Sequence, residues 1–265
     1  MILEPAGGDV FTHLAWEECL MESVRGPVLM LWQSDGAVVM GKNQNPWREC
    51  RLALMEAEGV ALARRISGGG TVFHDAGNLN YAVMVDRVDY REDTAFEMVE
   101  EALASVGVEA ERRCKSNLFV EEGKCSGTAF AFRKDRVLHH GTLLLQSDLE
   151  RLERYLGSDC EGIETHAVAS VPARVANVGV AEDRVRAALK DAFYRMYVGA
   201  ERERWVPDEA VVAERAAKRR ALDWVLGATP RFTVQLAGEA MEVDFRNGVL
   251  PPALVGLLYN TEKIF

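Results

Sequence analysis

The sequence lacks the features that would anchor a protein in a membrane, stabilise a small secreted domain or attract a nucleic acid. No stretch approaches the roughly 20 apolar residues that a membrane-spanning helix requires. The five cysteines, at positions 19, 50, 114, 125 and 160, include no C-x-x-C pair, which indicates reduced thiols. With 41 acidic against 31 basic residues, the net charge of -10 repels phosphate backbones and anionic lipid. These absences predict a soluble cytoplasmic protein that binds neither nucleic acid nor membranes.

A hydrophobic fraction of 48% can supply a substantial core, and its periodicity divides the chain into helices and strands. Helices are predicted over residues 9–25, 46–59, 94–106, 148–157, 182–197 and 207–226. Strands are predicted over residues 28–32, 37–41, 60–65, 72–73, 79–85, 108–113, 117–120, 124–132 and 137–145, the first two paired around a turn at 34–36. A hairpin of residues 232–236 and 241–245 and a helix after Pro251-Pro252 follow. This order predicts an α/β (α+β) fold with mixed, largely antiparallel sheets flanked by helices.

The segment with the clearest chemical character runs from Arg64 to Asp75 and reads RRISGGGTVFHD. Three successive glycines can expose backbone N–H groups and take positive φ, so a phosphate or an acyl chain can approach the main chain closely. The two arginines before them suit bidentate binding of a carboxylate or a phosphate. On these residues alone, a glycine-rich hairpin turn with solvated arginines is an equal alternative.

Four motifs in the same order resemble the lipoate–protein ligase A family and extend over about residues 9–180. The run RRISGGGTVFHDAGNLN at 64–80 is similar to the signature of that family. GKNQNPW at 41–47 resembles its first sheet-to-helix segment, KCSGTA at 124–129 its K-x-S-G-[ST]-A element, and HHGTLLL at 139–145 its next strand. Four ordered elements are far more specific than any one of them.

The resemblance implies the catalytic fold of biotin and lipoate ligases and a reaction in two steps. First, the carboxylate of lipoate attacks the α-phosphate of ATP, with Mg²⁺, to give lipoyl-AMP and pyrophosphate. Second, a lysine ε-amine of a carrier attacks the mixed anhydride and releases AMP. The implied carriers are lipoyl domains of 2-oxoacid dehydrogenase complexes or the glycine-cleavage H protein, and the acyl group is lipoyl or octanoyl.

The same resemblance implies roles for particular residues. Lys124 is the implied catalytic residue, an ammonium that neutralises the carboxylate–phosphate assembly. Arg65 would hold the acyl carboxylate or a phosphate, and Phe73 is a candidate to stack on a nucleobase. Asn117 is a weak candidate metal ligand. The implied substrate and cofactor contacts are Arg65, Ser67, Gly68, Gly69, Gly70, Val72, Phe73, His74, Asn117, Ser126, Gly127, Thr128, Ala129 and His140.

Side-chain alternation along strands adds two expectations. His139 and His140 are adjacent on a predicted strand and point to opposite faces, so at most one faces the site, and we expect it to be His140. Alternating apolar residues are candidates for lining an acyl tunnel, although such residues more often fill a core. These residues are Val38, Met40, Tyr81 and Val83.

Three departures from the family pattern bear on activity and domain structure. Asn117 stands where the family usually carries an acidic residue, and an amide is a weaker Mg²⁺ ligand than a carboxylate. Cys125 follows the lysine where the family mostly has an aliphatic residue, and a thiol fits there as a small buried hydrophobe. WVLGATP at 224–230 resembles the element that precedes an accessory domain in longer ligases. We predict a catalytic domain over residues 1–227 and a short appendage over 228–265, which is a reduced accessory domain. A separate accessory protein is a candidate partner that would supply the missing part of that domain.

Two other functions stay open on the sequence. The first is an octanoyl or lipoyl transferase of the same superfamily, which uses a preformed acyl donor. In such an enzyme Cys160 would carry the acyl group as a thioester, and Lys124 would be its partner. The segment THAVASVPARVAN at 165–177 is similar to lipoyltransferases, whereas the acidic neighbours of Cys160 would raise the pKa of its thiol. A non-catalytic lipoyl-binding partner subunit is the second alternative. Biotin attachment is disfavoured, because the R-x-x-G-R-G-R-x-G-R-x-W type of loop is missing.

Overall fold

The computed structural model describes residues 1–200, 207–236 and 238–249. The helices are α1 (Val10–Ser23), α2 (Pro46–Glu49), α3 (Leu52–Ala57), α4 (Glu92–Ser105), α5 (Leu149–Tyr155), α6 (Glu182–Met196), α7 (Glu209–Arg220) and α8 (Leu222–Val225). The strands are β1 (Ile2–Leu3), β2 (Val28–Trp32), β3 (Ala37–Met40), β4 (Ala61–Arg64), β5 (Val72–His74), β6 (Asn78–Asp86), β7 (Glu111–Arg113), β8 (Asn117–Val120), β9 (Gly123–Phe132), β10 (Arg136–Leu144), β11 (Glu164–Thr165), β12 (Phe232–Leu236) and β13 (Glu239–Val243). Among these described helices, none has the length and apolar character needed to span a membrane.

Seven strands form the main sheet in the order β1-β2-β6-β10-β9-β8-β7. Its central ladder joins β6 to β10 antiparallel, from Arg136 opposite Asp86 to Leu144 opposite Asn78. Only β1 and β2 are parallel neighbours in this sheet. The predicted α/β fold with mixed, largely antiparallel sheets and flanking helices is confirmed.

Both faces of the main sheet are covered by helices. Leu29 and Leu31 of β2 pack into the cluster formed with α4 and α6, whereas Met30 and Trp32 face α1 and, beyond it, α7. Asp9 caps α1 by accepting the N–H of Thr12 (2.9 Å), as residues of its type do at helix N-termini. Because α1 lies between the sheet and α7, its inward face can reach the interior of the protein.

Two three-stranded sheets, β4-β3-β5 and β11-β12-β13, enclose a third apolar cluster. Trp47 of α2 is stacked between Phe232, 5.2 Å away, and Phe245, 5.3 Å away, measured between ring centroids. The hairpin β12–β13 was expected from the sequence, and the structure shows that it closes this cluster. The helix predicted after Pro251-Pro252 lies outside the described residues. The domain boundary at residue 227 remains a prediction.

Several predicted elements differ from those in the structure. The pairing of residues 28–32 with 37–41 is wrong, because β2 pairs with β1 and β6 while β3 pairs with β4 and β5. The single helix expected over 46–59 is two short helices, since Cys50 is extended and forms a β-bridge with Leu156. The helix expected over 207–226 breaks at Ala221 in the same way. The strand expected over 108–113 is reduced to β7, and the two-residue strands β1 and β11 were not predicted.

His139 of β10 is a buried imidazole without a hydrogen-bond partner. Its ring lies among Phe96, Phe130 and Tyr81, with ring centroids 4.7, 4.3 and 6.5 Å away, and neither nitrogen is bonded within the described structure. We expect His139→Leu, which has a similar volume, to raise the free energy of unfolding at pH 7 by about 1–3 kcal/mol. Chemical denaturation measures this directly, with the exposed His166→Leu as control.

The same substitution should change the response to acid. Burial lowers the pKa of His139 from its ordinary 6.5 to about 3, so between these pH values only the unfolded state takes up the proton. Stability therefore falls as the pH falls through this window, and His139→Leu should flatten that part of the profile. A variant less stable than wild type at pH 7 would show that the imidazole makes a favourable contact.

Candidate active site

Lys124 lies at the start of β9, where its backbone is fixed by a neighbouring segment. Its N–H donates to the carbonyl of Arg174 (2.9 Å), and its carbonyl accepts the N–H of Ala176 (3.0 Å). The side chain extends over Gly127, where a Cβ atom would lie 3.0 Å from Lys124 Nζ. Burial lowers the pKa of the Lys124 ammonium, and the positive charge of Arg65 lowers it further. The amine is therefore held in a confined position next to a second cation.

Two adjoining cavities of about 310 and 500 Å³ meet at Lys124. The first lies between α1, the main sheet and strands β3 and β5, and it includes Gly69 and Gly70 in its wall. The second extends toward α2 and α5. Lys124, Val72 and Ser170 belong to the walls of both cavities. A ligand that extends from one cavity into the other must therefore pass Lys124.

The turn Gly68–Gly70 presents the backbone of Gly69 and Gly70 to the first cavity. Gly69 has φ +84°, and a Cβ atom there would lie 3.0 Å from Arg65 Nη2. None of the three glycine N–H groups donates a hydrogen bond within the described part of the chain. Successive free N–H groups on a cavity wall suit an anionic oxygen.

Arg65 supports this turn from behind. Its Nη2 donates to the carbonyls of Gly68 (2.6 Å) and Gly70 (2.7 Å), its Nη1 to the carbonyl of Val39 (3.0 Å) and its Nε to Ser67 Oγ (3.0 Å). Four of the five guanidinium N–H groups are thereby used. Burial lowers the pKa of Arg65 to about 10, so the group stays charged at neutral pH. The bidentate grip on a carboxylate or phosphate expected from the sequence is not available to it.

Arg64, which precedes the predicted site residue Arg65, is also held by bonds within the protein. It is fully buried, and its Nη1 donates to carbonyls of the loop 41–44. Its Nε donates to the carbonyl of Val225 (2.7 Å) and its Nη2 to Thr229 Oγ1 (2.8 Å). Arg64 thereby joins the glycine-rich half of the site to the segment that follows α8.

A buried hydrogen-bonded chain connects the inner end of the first cavity to the turn. Glu17 of α1 accepts from Trp32 Nε1 (3.2 Å) and from His140 Nδ1 (2.9 Å). His140 Nε2 lies 2.6 Å from Ser67 Oγ, and in the neutral imidazole it accepts from that hydroxyl because the Nδ1 proton faces the carboxylate. The order Ser–His–Glu resembles a hydrolase triad. However, Ser67 is buried and lines neither cavity, so the chain positions the wall and Arg65.

The histidines divide between site and core. His140 lines the first cavity, whereas His139 points to the opposite face of the sheet. His74 also lines the first cavity, and burial lowers its pKa to about 3, so it is neutral at physiological pH. Ser34 Oγ lies 3.4 Å from His74 Nδ1. Among the described residues that line this cavity, Glu17 is the one acidic side chain, and His74 and His140 add to its polar lining.

Phe73, the candidate for stacking on a nucleobase, lines the second cavity and is packed against other aromatic and cationic side chains. Its ring lies 5.3 Å from that of Tyr155, and the guanidinium carbon of Arg151 lies 5.3 Å from the centroid of Phe73. The side chain is 1% exposed and belongs to the cluster enclosed by the small sheets. It lines the second cavity alone, while its neighbour Val72 lines both, so its role toward a nucleobase stays a prediction.

The other predicted contacts are distributed over the two cavities. Asn117, Thr128 and Ala129 line the first, Ser126 lines the second, and Gly127 lines both. Gly68, like Ser67, lies behind the cavity wall.

Of the four apolar residues proposed for a tunnel, Tyr81 lines the first cavity. Val38 and Met40 pack in the small-sheet cluster and Val83 in the core under α4 and α6, and it is Val39 that faces the cavity.

A segment that crosses both cavities, which we call the strap, residues 166–175, was noted in the sequence for its similarity to lipoyltransferases, but its place at the site was not predicted. Its Ser170 Oγ accepts from the N–H of Thr71 (2.9 Å) and from Gln44 Nε2 (3.0 Å), and the Ser170 N–H donates to the carboxylate of Glu49 (3.1 Å). A second sequence signal was the similarity at 41–47, which includes Gln44. Also missed were the cavity-lining residues Glu17, Trp32 and Asn80.

The two cysteines singled out in the sequence lie outside the cavities. Cys160 lines neither cavity and packs against the small-sheet cluster, where burial and Asp159 raise the pKa of its thiol. Cys125 points away from Lys124 into the core, with its Sγ 3.5 Å from the carbonyl of Leu118. The geometry therefore does not support a thioester route through Lys124 and Cys160.

Comparison with known proteins identifies the family of the chain. Residues 9–193 match the lipoyl protein ligase A/B catalytic domain, and the chain belongs to this family. The family predicted from the four motifs is thereby confirmed.

Similar solved structures include P. falciparum LipL1 in complex with lipoate, at 25% identity and a TM-score of 0.73, covering 91% of this chain and 79% of that one. Lipoate-protein ligase A bound with ATP shares 29% identity at a TM-score of 0.73, covering 86% and 98%. The bi-partite lipoate protein ligase of Thermoplasma acidophilum, studied with its E2 lipoyl domain, shares 28% identity at a TM-score of 0.74, covering 86% and 95%.

Proposed function

We propose that the protein is a lipoate–protein ligase that activates lipoate, or octanoate, with ATP and transfers the acyl group to a carrier lysine. The observation that carries this proposal is the Lys124 amine on the wall shared by two adjoining cavities. Relatives crystallised with lipoate and with ATP support the pairing of these ligands. The chemistry needs a cation where the carboxylate meets the α-phosphate, because both reacting groups are anionic.

The first cavity suits the acyl group. Leu14, Val39 and Tyr81 give it apolar walls, and it ends at the polar group around Glu17 and Trp32. An acyl chain with its ring at that end would direct its carboxylate toward Lys124. The second cavity, which is larger and more distant from α1, is then left for the nucleotide.

The reaction follows from this arrangement. A carboxylate oxygen of lipoate attacks the α-phosphorus of ATP, the bond to the β-phosphate oxygen breaks, and pyrophosphate leaves. Lys124 and the free N–H groups of Gly69 and Gly70 stabilise the charge that accumulates on the phosphate oxygens. In the second step the neutral amine of the carrier lysine attacks the acyl carbonyl, AMP leaves, and the amine proton is released.

Mg²⁺ fits this site only as a partner of the nucleotide. The described residues contain no group of three His, Cys, Asp or Glu side chains that would hold a metal ion. Protein-bound Mg²⁺ commonly uses one or two side chains together with substrate phosphates. The amide of Asn117, on the first-cavity wall beside Lys124, would be its side-chain ligand, and the ion would neutralise phosphate charge.

The proposed acceptors are lipoyl domains of 2-oxoacid dehydrogenase complexes or the glycine-cleavage H protein, acting in the cytoplasm. The E2 lipoyl domain studied with the Thermoplasma ligase supports the first of these. All five cysteines are free, as expected in a reducing compartment. The proposal is tested by intact mass spectrometry of each apo-carrier after incubation with the enzyme, lipoate and MgATP. We expect a lipoyl adduct that needs ATP, and modification only from an octanoyl-carrier donor without ATP would contradict the proposal.

The lowered pKa of Lys124 predicts a pH effect on activation. Because burial and Arg65 lower this pKa below its ordinary 10.5, the ammonium loses its proton at a lower pH than an exposed lysine does. The rate of pyrophosphate release should therefore fall as the pH rises through the lowered value. Lys124→Arg keeps its charge, and its residual activity should show no such alkaline decline. An identical decline in both proteins would assign the titration to another group.

A further inference from the structure

Three exposed basic residues surround the mouth of the cavities without entering them. Lys42 lies next to the glycine turn, since its N–H donates to the carbonyl of Ser67 (2.8 Å). Lys115 directly precedes Ser116, which lines the first cavity. Arg174 belongs to the strap, and its carbonyl is bonded to the backbone of Lys124, as described above.

These cations have no ion-pair partner among the described residues, although the chain carries a net charge of -10. None of the three lines either cavity, so a nucleotide and an acyl chain within the cavities would not contact them. A larger molecule that covers the mouth of the cavities would contact all three cations. Their position therefore favours a macromolecular partner with acidic side chains.

The strap gives the same surface an apolar centre. Val171 is 85% exposed and Val168 is 46% exposed, and both belong to the rim of the first cavity. The next residues, Pro172 and Ala173, are exposed as well. An apolar patch within a polar, charged surround is the usual composition of a protein-binding surface.

The charges are unequal around this surface. Glu121 and Glu122 lie in the turn before β9, where Gly123 approaches the backbone of Arg174. They offset part of the charge of Arg174, so Lys42 and Lys115 carry most of the attraction for an acidic partner.

We propose that Lys42, Lys115, Arg174 and the exposed valines of the strap form the docking surface for the carrier domain, which presents its lysine from an acidic surface. This inference rests on the proposed function, because the carrier amine must reach the acyl group at Lys124. The surface aligns the carrier lysine with the mouth, and it contributes to carrier binding but not to activation of lipoate.

The test compares two double charge reversals. Lys42→Glu with Lys115→Glu alters the proposed surface, and Arg87→Glu with Lys134→Glu makes the same change at exposed, unpaired residues beyond the far ends of β6 and β9. The dissociation constant of the apo lipoyl domain, or of apo-H protein, is measured by calorimetry at two salt concentrations without ATP. Lipoate-dependent pyrophosphate release without carrier is measured in parallel.

We expect the first pair to weaken carrier binding by about tenfold or more and to reduce its salt dependence, while pyrophosphate release stays at the wild-type rate. The control pair should bind the carrier like wild type. If carrier binding were weakened equally in both variants, the effect would come from net charge alone, and the proposed docking surface would be wrong. Unchanged carrier binding in the Lys42→Glu, Lys115→Glu variant would also overturn the docking surface, as would a raised KM for ATP as the only effect. Absence of pyrophosphate release from wild type would contradict the proposed function, while the binding comparison would still decide the docking surface.

Discussion

Lys124→Met is expected to slow the formation of lipoyl-AMP by about 10²–10³-fold, the effect of removing one preorganised electrostatic group from an active site. Methionine keeps an unbranched apolar stem over Gly127 but removes the positive charge. Without that charge, the lipoate carboxylate and the α-phosphate must approach each other against their mutual repulsion. The effect should appear mainly in the rate of the chemical step, because the cavity walls are unchanged.

Rapid-quench measurement of a single turnover, with lipoate and ATP saturating, gives this rate directly. Lys134→Met is the matched control, since Lys134 is exposed in the turn between β9 and β10 and lines neither cavity. Thermal unfolding of both variants shows whether each is folded. A rate for Lys124→Met within threefold of wild type would remove Lys124 from the chemistry.

Arg65→Lys should be nearly as damaging as Arg65→Gln, although lysine keeps the charge. Arg65 uses the fork of its guanidinium to bond Gly68, Gly70, Val39 and Ser67 at once, and a single ammonium cannot reach all four. We expect a loss of about 2–4 kcal/mol in the free energy of unfolding, because buried carbonyl groups are left without donors. We also expect kcat/KM to fall by about 10²-fold as the glycine turn loses its shape.

Denaturant unfolding together with kcat/KM for lipoate and for ATP measures both effects. Ser67→Ala is the graded comparison, since it removes the acceptor of Arg65 Nε and the donor to His140 Nε2, and it should cost about 1–2 kcal/mol. If Arg65 instead acted by gripping the substrate with its charge, Arg65→Lys would keep normal stability and much of its activity. That outcome would contradict the supporting role assigned here.

The sequence contained the main elements of this site because they are local. The glycine run at 68–70 and the lysine with its following S-G-T-A are contiguous motifs, and their chemistry can be inferred from residue types. The choice of His140 over His139 needed only the alternation of a strand and the place of His140 on the same face as Thr142, and the structure places His140 and Thr142 at the cavity. Such inferences need no knowledge of which distant segments meet.

The remaining parts of the site depend on contacts between distant segments. Glu17 meets His140 across 123 positions of sequence, and Gln44 meets Ser170 across 126. The spacing of Leu14 and Glu17 by three residues on α1 was the available signal, because residues so spaced share a helix face. Their common position on the cavity wall shows that they do.

Strand faces were ambiguous where both sides of a strand are buried. All residues of β3 are buried, so hydrophobicity cannot tell whether Val38 and Met40 or Val39 face a ligand. Pairing was similarly uncertain for β2 and β3, since the turn between them is compatible with a hairpin or with a passage from one sheet to another. The structure shows the second arrangement.

The most direct test of the central claim is lipoate-dependent exchange of labelled pyrophosphate into ATP, measured without any carrier. It isolates the first step at the junction of the two cavities. We predict that wild-type protein with MgATP exchanges label only when lipoate or octanoate is added, and that Lys124→Met does not exchange. Wild-type protein that modifies a carrier yet shows no exchange under these conditions would contradict activation at Lys124.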